Sequence, residues 1–142
     1  MQQIVLDASV AVKWCVLAGE PHERQALALL ERQVAGEIEF LVPDLFWAEI
    51  GNLLWKAARQ NRCTAEQALQ SIRLLKAQEL PTYPSIELME PGFAISRRFD
   101  RSFYDSVYVA LALERNATLI TADEKLANAM AAYLPVKWLG AF

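Results

Sequence analysis

The sequence is poor in the side chains that soft-metal sites and histidine-based catalysis require. It contains one histidine, His22, and two cysteines, Cys15 and Cys63, among 142 residues. Two cysteines without a spacing pattern argue against a disulfide framework or a zinc site, so we expect both to be small buried hydrophobes in a reducing cytoplasm. A lone histidine excludes acid–base catalysis by a histidine pair, and we expect His22 to be a surface residue.

Long apolar runs and an excess of positive charge are also missing. No apolar stretch reaches the ~18 residues that a membrane span needs, and Asp7 and Lys13 interrupt an N-terminus that lacks a basic start, so we expect neither a membrane span nor a signal peptide. Lys and Arg total 14 against 17 Asp and Glu, for a formal net charge of -3. Such a chain has no global field that attracts polyanions, and an acidic pocket would bind one only with the help of a divalent metal.

The composition that remains is typical of a single folded domain. The hydrophobic fraction is 54%, the charged fraction is 22%, and there are four Trp. A chain of this length can bury roughly two-thirds of its unfolded surface. No linker, repeat or low-complexity segment divides it, so residues 1–142 are predicted to form one domain.

Buried strands alternate with amphipathic helices along the chain. This order implies parallel pairing with right-handed crossovers, and therefore a three-layer α/β fold with a central parallel sheet of four or five strands. The predicted elements are strands at 4–6, 39–42, 117–121 and 136–139, a short edge strand at 82–83, and helices at 8–17, 21–35, 43–61, 64–78, 103–115 and 123–133. A further helix is predicted after Ser85 as its cap, kinked or delayed by Pro91 and Gly92.

Two acids follow buried strands directly. Asp7 ends the first strand and Asp123 follows the strand at 117–121, so both are expected at the carboxyl edge of the sheet, where open α/β sheets place their ligands. Each also has an ordinary explanation as a helix cap.

Two further acids lie on predicted helices. Glu49 has Leu45 and Leu53 one turn away on either side, an awkward place for a solvated carboxylate, and Asn52 could hydrogen-bond it into place. Asp105 is the third residue after Ser102 and can be read as the acid of a capping box.

The four acids together favour a cation site over four unrelated caps. Each like-charged pair at ~4 Å costs about 1 kcal/mol in a water-like and about 4 kcal/mol in a protein-like dielectric, so converging carboxylates need a counterion. Oxygen ligands without His or Cys favour Mg²⁺ or Mn²⁺. Either the acids do not meet, or they hold a hard cation.

The sequence resembles a known protein family. The order and spacing of several motifs are similar to those of a PIN domain of the VapC toxin type. They are Val5-Leu6-Asp7-Ala8-Ser9-Val10 with Lys13-Trp14, Pro43 through Glu49 to Asn52, Tyr104-Asp105 with Tyr108, Ala110 and Leu111, and Leu119 to Leu126. The resemblance spans nearly the whole chain and implies a three-layer α/β/α PIN-like fold.

The resemblance also implies an activity and its residues. In that family the acids bind Mg²⁺ or Mn²⁺ and cut RNA, which carries over to Asp7, Glu49, Asp105 and Asp123. Ser9 and Thr121 match supporting hydroxyls. We expect a metal-dependent endoribonuclease in which a metal-activated water hydrolyses the phosphodiester to give 5'-phosphate and 3'-hydroxyl ends. Asp7, Asp105 and Asp123 are the expected metal ligands, and Glu49 is a ligand or orients the water.

Partners follow from the same resemblance. Toxins of this type act in the prokaryotic cytoplasm, usually as homodimers, and pair with a small VapB-like antitoxin. The helices at 8–17 and 45–59 could line its groove through Trp14, Trp47 or Trp55. Phosphate contacts could come from several cations, although solvated surface charge is the ordinary explanation for each of them. These cations are Lys13, Arg97, Arg98, Arg101, Arg115 and Lys125.

Two alternatives from other classes remain open. A phospho-acceptor receiver domain also gathers acids at the ends of its strands, but Asp7 lacks the acidic neighbour that such a domain needs. A catalytically inactive PIN-like binding module, with the four acids acting only as caps, would give the same sequence pattern.

Overall fold

The fold is built around a five-stranded sheet in which every neighbouring pair is parallel. A computed structural model describes residues 1–15 and 19–142 of the chain, and within them the strand order is β3-β2-β1-β4-β5. The strands are β1 (Gln2–Leu6), β2 (Ile38–Pro43), β3 (Thr82–Tyr83), β4 (Thr118–Thr121) and β5 (Val136–Trp138).

Strand β1 occupies the centre of the sheet because its apolar residues can be buried on both faces. Ile4, Val5 and Leu6 are at most 2% exposed. Val5 lies beside Leu41 of β2 on one side and Leu119 of β4 on the other. A run of branched apolar residues is typical of a strand covered on both faces, and the prediction of a central first strand is confirmed.

The helices cover the sheet in the arrangement of a three-layer α/β/α domain, as the sequence predicts. Their limits are α1 (Ala8–Ala11), α2 (Glu23–Val34), α3 (Leu45–Arg59), α4 (Ala65–Ala77), α5 (Met89–Phe99), α6 (Phe103–Glu114) and α7 (Glu124–Met130). Short 3₁₀ turns cover 12–14, 85–88 and 139–141. In the described part of the chain, no helix is long and apolar enough to cross a bilayer.

Two predicted helices differ from those observed. The predicted helix at 8–17 is α1 followed by the 3₁₀ turn Val12–Trp14, and its last two residues lie outside the described residues. Ser85 does not cap a helix: its hydroxyl donates to Asp44, and it begins the 3₁₀ turn Ser85–Leu88 that delays α5 to Met89. Pro91 fits there because the first helical turn leaves its backbone N–H groups without intrahelical acceptors.

Candidate active site

Asp7 and Asp123 lie at the carboxyl ends of the neighbouring strands β1 and β4. Asp7 is the N-cap of α1 and accepts a hydrogen bond from the Ser9 amide at 3.3 Å. Asp123 is the N-cap of α7 and accepts one from the Leu126 amide at 3.1 Å. The expected placement at one edge of the sheet is therefore observed, and the acids are helix caps as well.

Two hydroxyl groups connect the loops that carry these acids. The Thr121 hydroxyl donates to Oδ2 of Asp7 at 2.7 Å and accepts from the Asp123 amide at 3.0 Å. The Ser9 hydroxyl accepts from the Ala122 amide at 3.1 Å. Ser9 and Thr121 thus hold the two loops together, and Thr121 fixes one oxygen of a buried carboxylate.

Asp105 enters the site from the first turn of α6. Its backbone amide donates to the hydroxyl of the N-cap Ser102 at 3.1 Å. This hydrogen bond does not involve the Asp105 carboxylate. Nη2 of Arg101 lies 3.3 Å from Oδ2 of Asp105 and 3.6 Å from Oδ2 of Asp123. The guanidinium of Arg101 therefore lies between two of the four acids.

Glu49 is partly buried on α3, and its Oε1 atom has no hydrogen-bond partner within the described residues. Burial, aided by the charges of Asp7 and Asp105, raises the pKa of Glu49 to about 7. The hydroxyl of Tyr108 on α6 is close enough to favour the charged form of Glu49, although it falls short of full hydrogen-bond geometry. An uncompensated buried acceptor of this kind favours a positive ligand.

Burial and the charge of Asp105 affect the Asp7 carboxyl as they affect Glu49. Burial raises the pKa of the Asp7 carboxyl, the hydrogen bonds from Thr121 and Ser9 oppose this increase, and the charge of Asp105 adds to it. Asp7, Glu49 and Asp105 are thus near enough to repel one another, while Arg101 links Asp105 to Asp123.

One predicted supporting residue takes a different place. Asn52 is exposed, and the hydrogen bonds found in 1–15 and 19–142 do not join it to Glu49. Tyr108 lies beside Glu49 instead. Its signal in the sequence is its position three residues after Asp105, on the same side of α6, but only the tertiary fold brings it to Glu49.

The residues fit a divalent cation that retains water. Among the side chains that the structure describes, no group of three His, Cys, Asp or Glu is arranged to hold a metal ion by itself. Mg²⁺ does not require such a cage, since it is commonly bound through one or two carboxylates together with waters and substrate phosphates. The oxygen-only donor set, the unpartnered Glu49 oxygen and the cationic Arg101 between two acids are consistent with such a site.

Fold and site together define an α/β domain with acidic side chains at the carboxyl edge of a five-stranded parallel sheet. The family model described as PIN domain matches residues 4–131. The chain belongs to the PIN domain family.

Its relatives carry ribonuclease names. Ribonuclease VapC3 of Pyrobaculum aerophilum is 32% identical over 130 residues, which cover 89% of this chain and 93% of that protein. Ribonuclease VapC9 of Mycobacterium tuberculosis is 32% identical over 133 residues, which cover 94% of this chain and 95% of that protein.

Solved structures share the fold. VapC20 of Mycobacterium tuberculosis, described as a sarcin-ricin loop cleaving toxin, superimposes with a TM-score of 0.66 at 17% identity, covering 92% of this chain and 95% of that one. VapBC2 of Rickettsia felis, solved with a DNA fragment from its promoter, gives 0.68 at 15% identity, covering 96% and 98%.

Proposed function

We propose that this chain is a metal-dependent endoribonuclease and the toxin of a toxin–antitoxin pair. The observation that carries the proposal is the arrangement of acids at the carboxyl edge of the sheet, where Thr121 joins Asp7 to the loop of Asp123 and Arg101 joins Asp123 to Asp105. Membership of the PIN domain family and the ribonuclease names of its relatives support the same function. That membership also removes the receiver-domain alternative.

Each acid has a proposed role. Asp7, Asp105 and Asp123 would hold Mg²⁺ or Mn²⁺, and Glu49 would be a further ligand or would orient the attacking water. When bound, the ion would polarise the scissile phosphate and lower the pKa of a bound water. Thr121 would keep Asp7 in one rotamer through its 2.7 Å hydrogen bond, and Ser9 would hold the neighbouring loop.

Glu49 is suited to binding a cation or to orienting a water bound to one. Its pKa is raised to about 7 in the metal-free protein, mainly by burial. A divalent ion beside it would lower this pKa again and keep the carboxylate charged, as both roles require.

Incubation with total RNA tests the proposed function. Purified protein should cleave RNA when Mg²⁺ or Mn²⁺ is present and should not do so with EDTA, and Asp105→Asn should be inactive under both conditions. Hydrolysis by a metal-activated water gives 5'-phosphate and 3'-hydroxyl ends. The appearance of 2',3'-cyclic phosphates would contradict the mechanism.

A catalytically inactive PIN-like binding module remains the second candidate, because Asp7 and Asp123 are observed as helix caps and caps alone need no metal. Mn²⁺ titration separates the two candidates. An enzyme site should bind Mn²⁺ in wild type and lose it in Asp7→Asn, whereas a module with capping acids should bind none in either protein.

The antitoxin would bind beside α3. Trp47 donates to the Thr82 hydroxyl at 3.1 Å and lines a cavity of about 470 Å³ with Ile50, Gly51, Ile72 and Lys76. Trp55 is 55% exposed, with Arg59 over its ring. Both present aromatic surface to a partner.

Trp14 is held more firmly by the core. Its indole N–H donates to the Ala26 carbonyl at 2.8 Å, and its ring packs against Phe40, so it stabilises the packing of α2 on the sheet. Trp14 also lines a second cavity of about 320 Å³, and its contribution to an antitoxin groove stays a prediction.

We further propose a homodimer in the prokaryotic cytoplasm. The exposed side chains of Met89 and Phe93 on α5 and of Tyr104 on α6 supply apolar surface for the contact between two copies. Light scattering coupled to size-exclusion chromatography should give twice the mass of the chain, and substitution of Phe93 by Asp should shift it to the mass of a monomer.

A further inference from the structure

Arg101 lies in the short junction between α5 and α6, next to the acids of the proposed site. The helix α5 ends at Phe99, Asp100 adopts a left-handed conformation with φ of 53°, and α6 begins at Phe103. The side chain of Arg101 therefore starts from a turn rather than from the middle of a helix. It is 24% exposed, so part of the side chain already borders solvent.

The contacts of Arg101 indicate attraction by charge more than a precise hydrogen-bond fit. Nη2 lies 3.3 Å from Asp105 and 3.6 Å from Asp123, which is longer than the roughly 2.7–2.9 Å of a strong charge-assisted hydrogen bond. Its Nε atom is buried and has no hydrogen-bond partner in the described part of the chain. A buried donor without a partner destabilises the arrangement that contains it.

A divalent ion and this guanidinium would require the same carboxylate oxygens. Asp105 and Asp123 are two of the proposed metal ligands, and Arg101 contacts Oδ2 of both. A cation of higher charge that binds these oxygens would replace the attraction that holds the Arg101 guanidinium. The side chain could then leave, and its unpartnered Nε would be released to solvent.

We propose that Arg101 is a built-in counter-cation of the metal-free site, which bridges Asp105 to Asp123 and is displaced when divalent metal binds. The inference rests on the proposed function and adds a residue that sets how tightly the site binds metal. If the competent, Arg-free arrangement is populated about a tenth of the time, the apparent dissociation constant of the metal is about tenfold weaker than its intrinsic value.

Metal affinity measured without RNA tests the proposal. Calorimetric titration of Mn²⁺ into Arg101→Gln should give a Kd about tenfold lower than wild type, which corresponds to about 1.4 kcal/mol. Arg97→Gln is the matched control: it removes the same charge from an exposed position on the last turn of α5. Its Kd should stay within about twofold of wild type. A Kd that is unchanged or higher in Arg101→Gln overturns the proposal, because Arg101 would then be neutral or would help to organise the ligands.

The Nε–H group of Arg101 gives a direct readout of displacement. In ¹⁵N-labelled protein this resonance, assigned by its absence from Arg101→Gln, should exchange slowly with water in EDTA because the atom is buried. Saturation with Mg²⁺ should shift it and speed its exchange. A resonance that neither shifts nor exchanges faster in a metal-saturated sample overturns the proposal.

Arg101→Lys is the variant to titrate if Arg101→Gln does not fold without metal. Lysine keeps the charge but lacks the planar fork that can reach two carboxylates, so its Mn²⁺ Kd should lie between those of wild type and Arg101→Gln. A Kd equal to or above that of wild type counts against the proposal.

The proposed function and this inference fail in different ways. Equal Mn²⁺ affinity in wild type and Arg101→Gln overturns the inference and leaves the metal site intact. Absence of Mn²⁺ binding from both proteins overturns both. Binding by Arg101→Gln alone supports the inference, since the guanidinium would then outcompete the metal in wild type.

Discussion

The hydroxyl of Thr121 donates a 2.7 Å hydrogen bond to Oδ2 of Asp7, across a sequence separation of 114 residues. The Thr121 hydroxyl oxygen also accepts a hydrogen bond from the Asp123 amide at 3.0 Å. One side chain at the end of β4 therefore orients the carboxylate at the end of β1 and the loop that carries Asp123. Hydrogen bonds to a carboxylate that ligates a metal tune its affinity, so we expect metal binding at the proposed site to depend on Thr121 even without contact between Thr121 and the ion.

Replacement of Thr121 by Val should separate this role from simple packing. Valine preserves the shape but leaves a buried carboxylate oxygen and an amide without their partner, so we expect a loss of about 1–3 kcal/mol in the free energy of unfolding. Mn²⁺ affinity should fall about 10- to 100-fold. Thr121→Ser keeps the hydroxyl and should retain most of the affinity. Urea unfolding and calorimetry measure the two effects, and equal metal affinity in all three proteins would rule out an orienting role.

Asp7→Asn should abolish metal binding and leave the metal-free protein folded. The substitution removes a buried charge and keeps an oxygen that can accept from the Ser9 amide, while its NH₂ group can donate to the Thr121 hydroxyl in place of the lost acceptor, so the stability of the metal-free protein should change by less than about 1 kcal/mol. Mn²⁺ should raise the melting temperature of wild type and leave that of Asp7→Asn unchanged. A Mn²⁺ response of normal size in the variant would show that Asp7 is not a metal ligand.

The fold is predictable from sequence because local patterns and tertiary structure agree for most elements. Ile4 to Leu6 are apolar without alternation, as a strand buried on both faces requires. The helix predicted at 64–78 is observed as α4, and Thr64 and Gln67 form a complete capping box at its start. The start of α5 was not predictable, since the hydroxyl of Ser85 is taken by Asp44, a residue 41 positions away.

The site is predictable in its acids and less so in what surrounds them. Asp7 and Asp123 follow buried strands, and parallel strands bring their carboxyl ends to one edge. The neighbour of Glu49 is Tyr108 rather than Asn52, because the tertiary fold brings together two residues 59 positions apart in the sequence, which no local pattern encodes. In the sequence, nothing distinguishes Arg101 from the other Lys and Arg residues near the predicted site. Only the turn between α5 and α6 in the folded chain directs it toward Asp105 and Asp123.

Two tryptophans of α3, Trp47 and Trp55, should contribute to antitoxin binding. Trp55 is exposed and makes little contact with the core, so Trp55→Ala should leave the free energy of unfolding within about 0.5 kcal/mol of wild type. It should weaken the complex with the cognate antitoxin by 1–2 kcal/mol, or about 10-fold, as buried interface aromatics do. Trp47→Phe removes the hydrogen bond to Thr82 but keeps an aromatic ring, and serves as the milder variant. Unchanged affinity in both would place the antitoxin elsewhere.

Glu49 should make the stability of the metal-free protein depend on pH. Its pKa is raised from 4.5 in the unfolded chain to about 7 in the folded one, so between these values the folded state holds a proton that the unfolded state has lost. Stability therefore falls as pH rises from 4.5 to 7. Glu49→Gln cannot ionise and should lack this loss. It should exceed wild type by about 1–2 kcal/mol at pH 8, after allowance for solvent screening, and match it near pH 4.5.

Urea unfolding in EDTA at pH 4.5 and pH 8 measures this difference for Glu49. The exposed Glu87 offers the matched control, and Glu87→Gln should keep the pH profile of wild type. Mn²⁺ at pH 8 should reverse the order of stability, because the ion compensates the Glu49 carboxylate in wild type and gains less from an amide. If Glu49→Gln loses stability at pH 8 without metal, the carboxylate is already compensated by its neighbours and the site does not need a cation there.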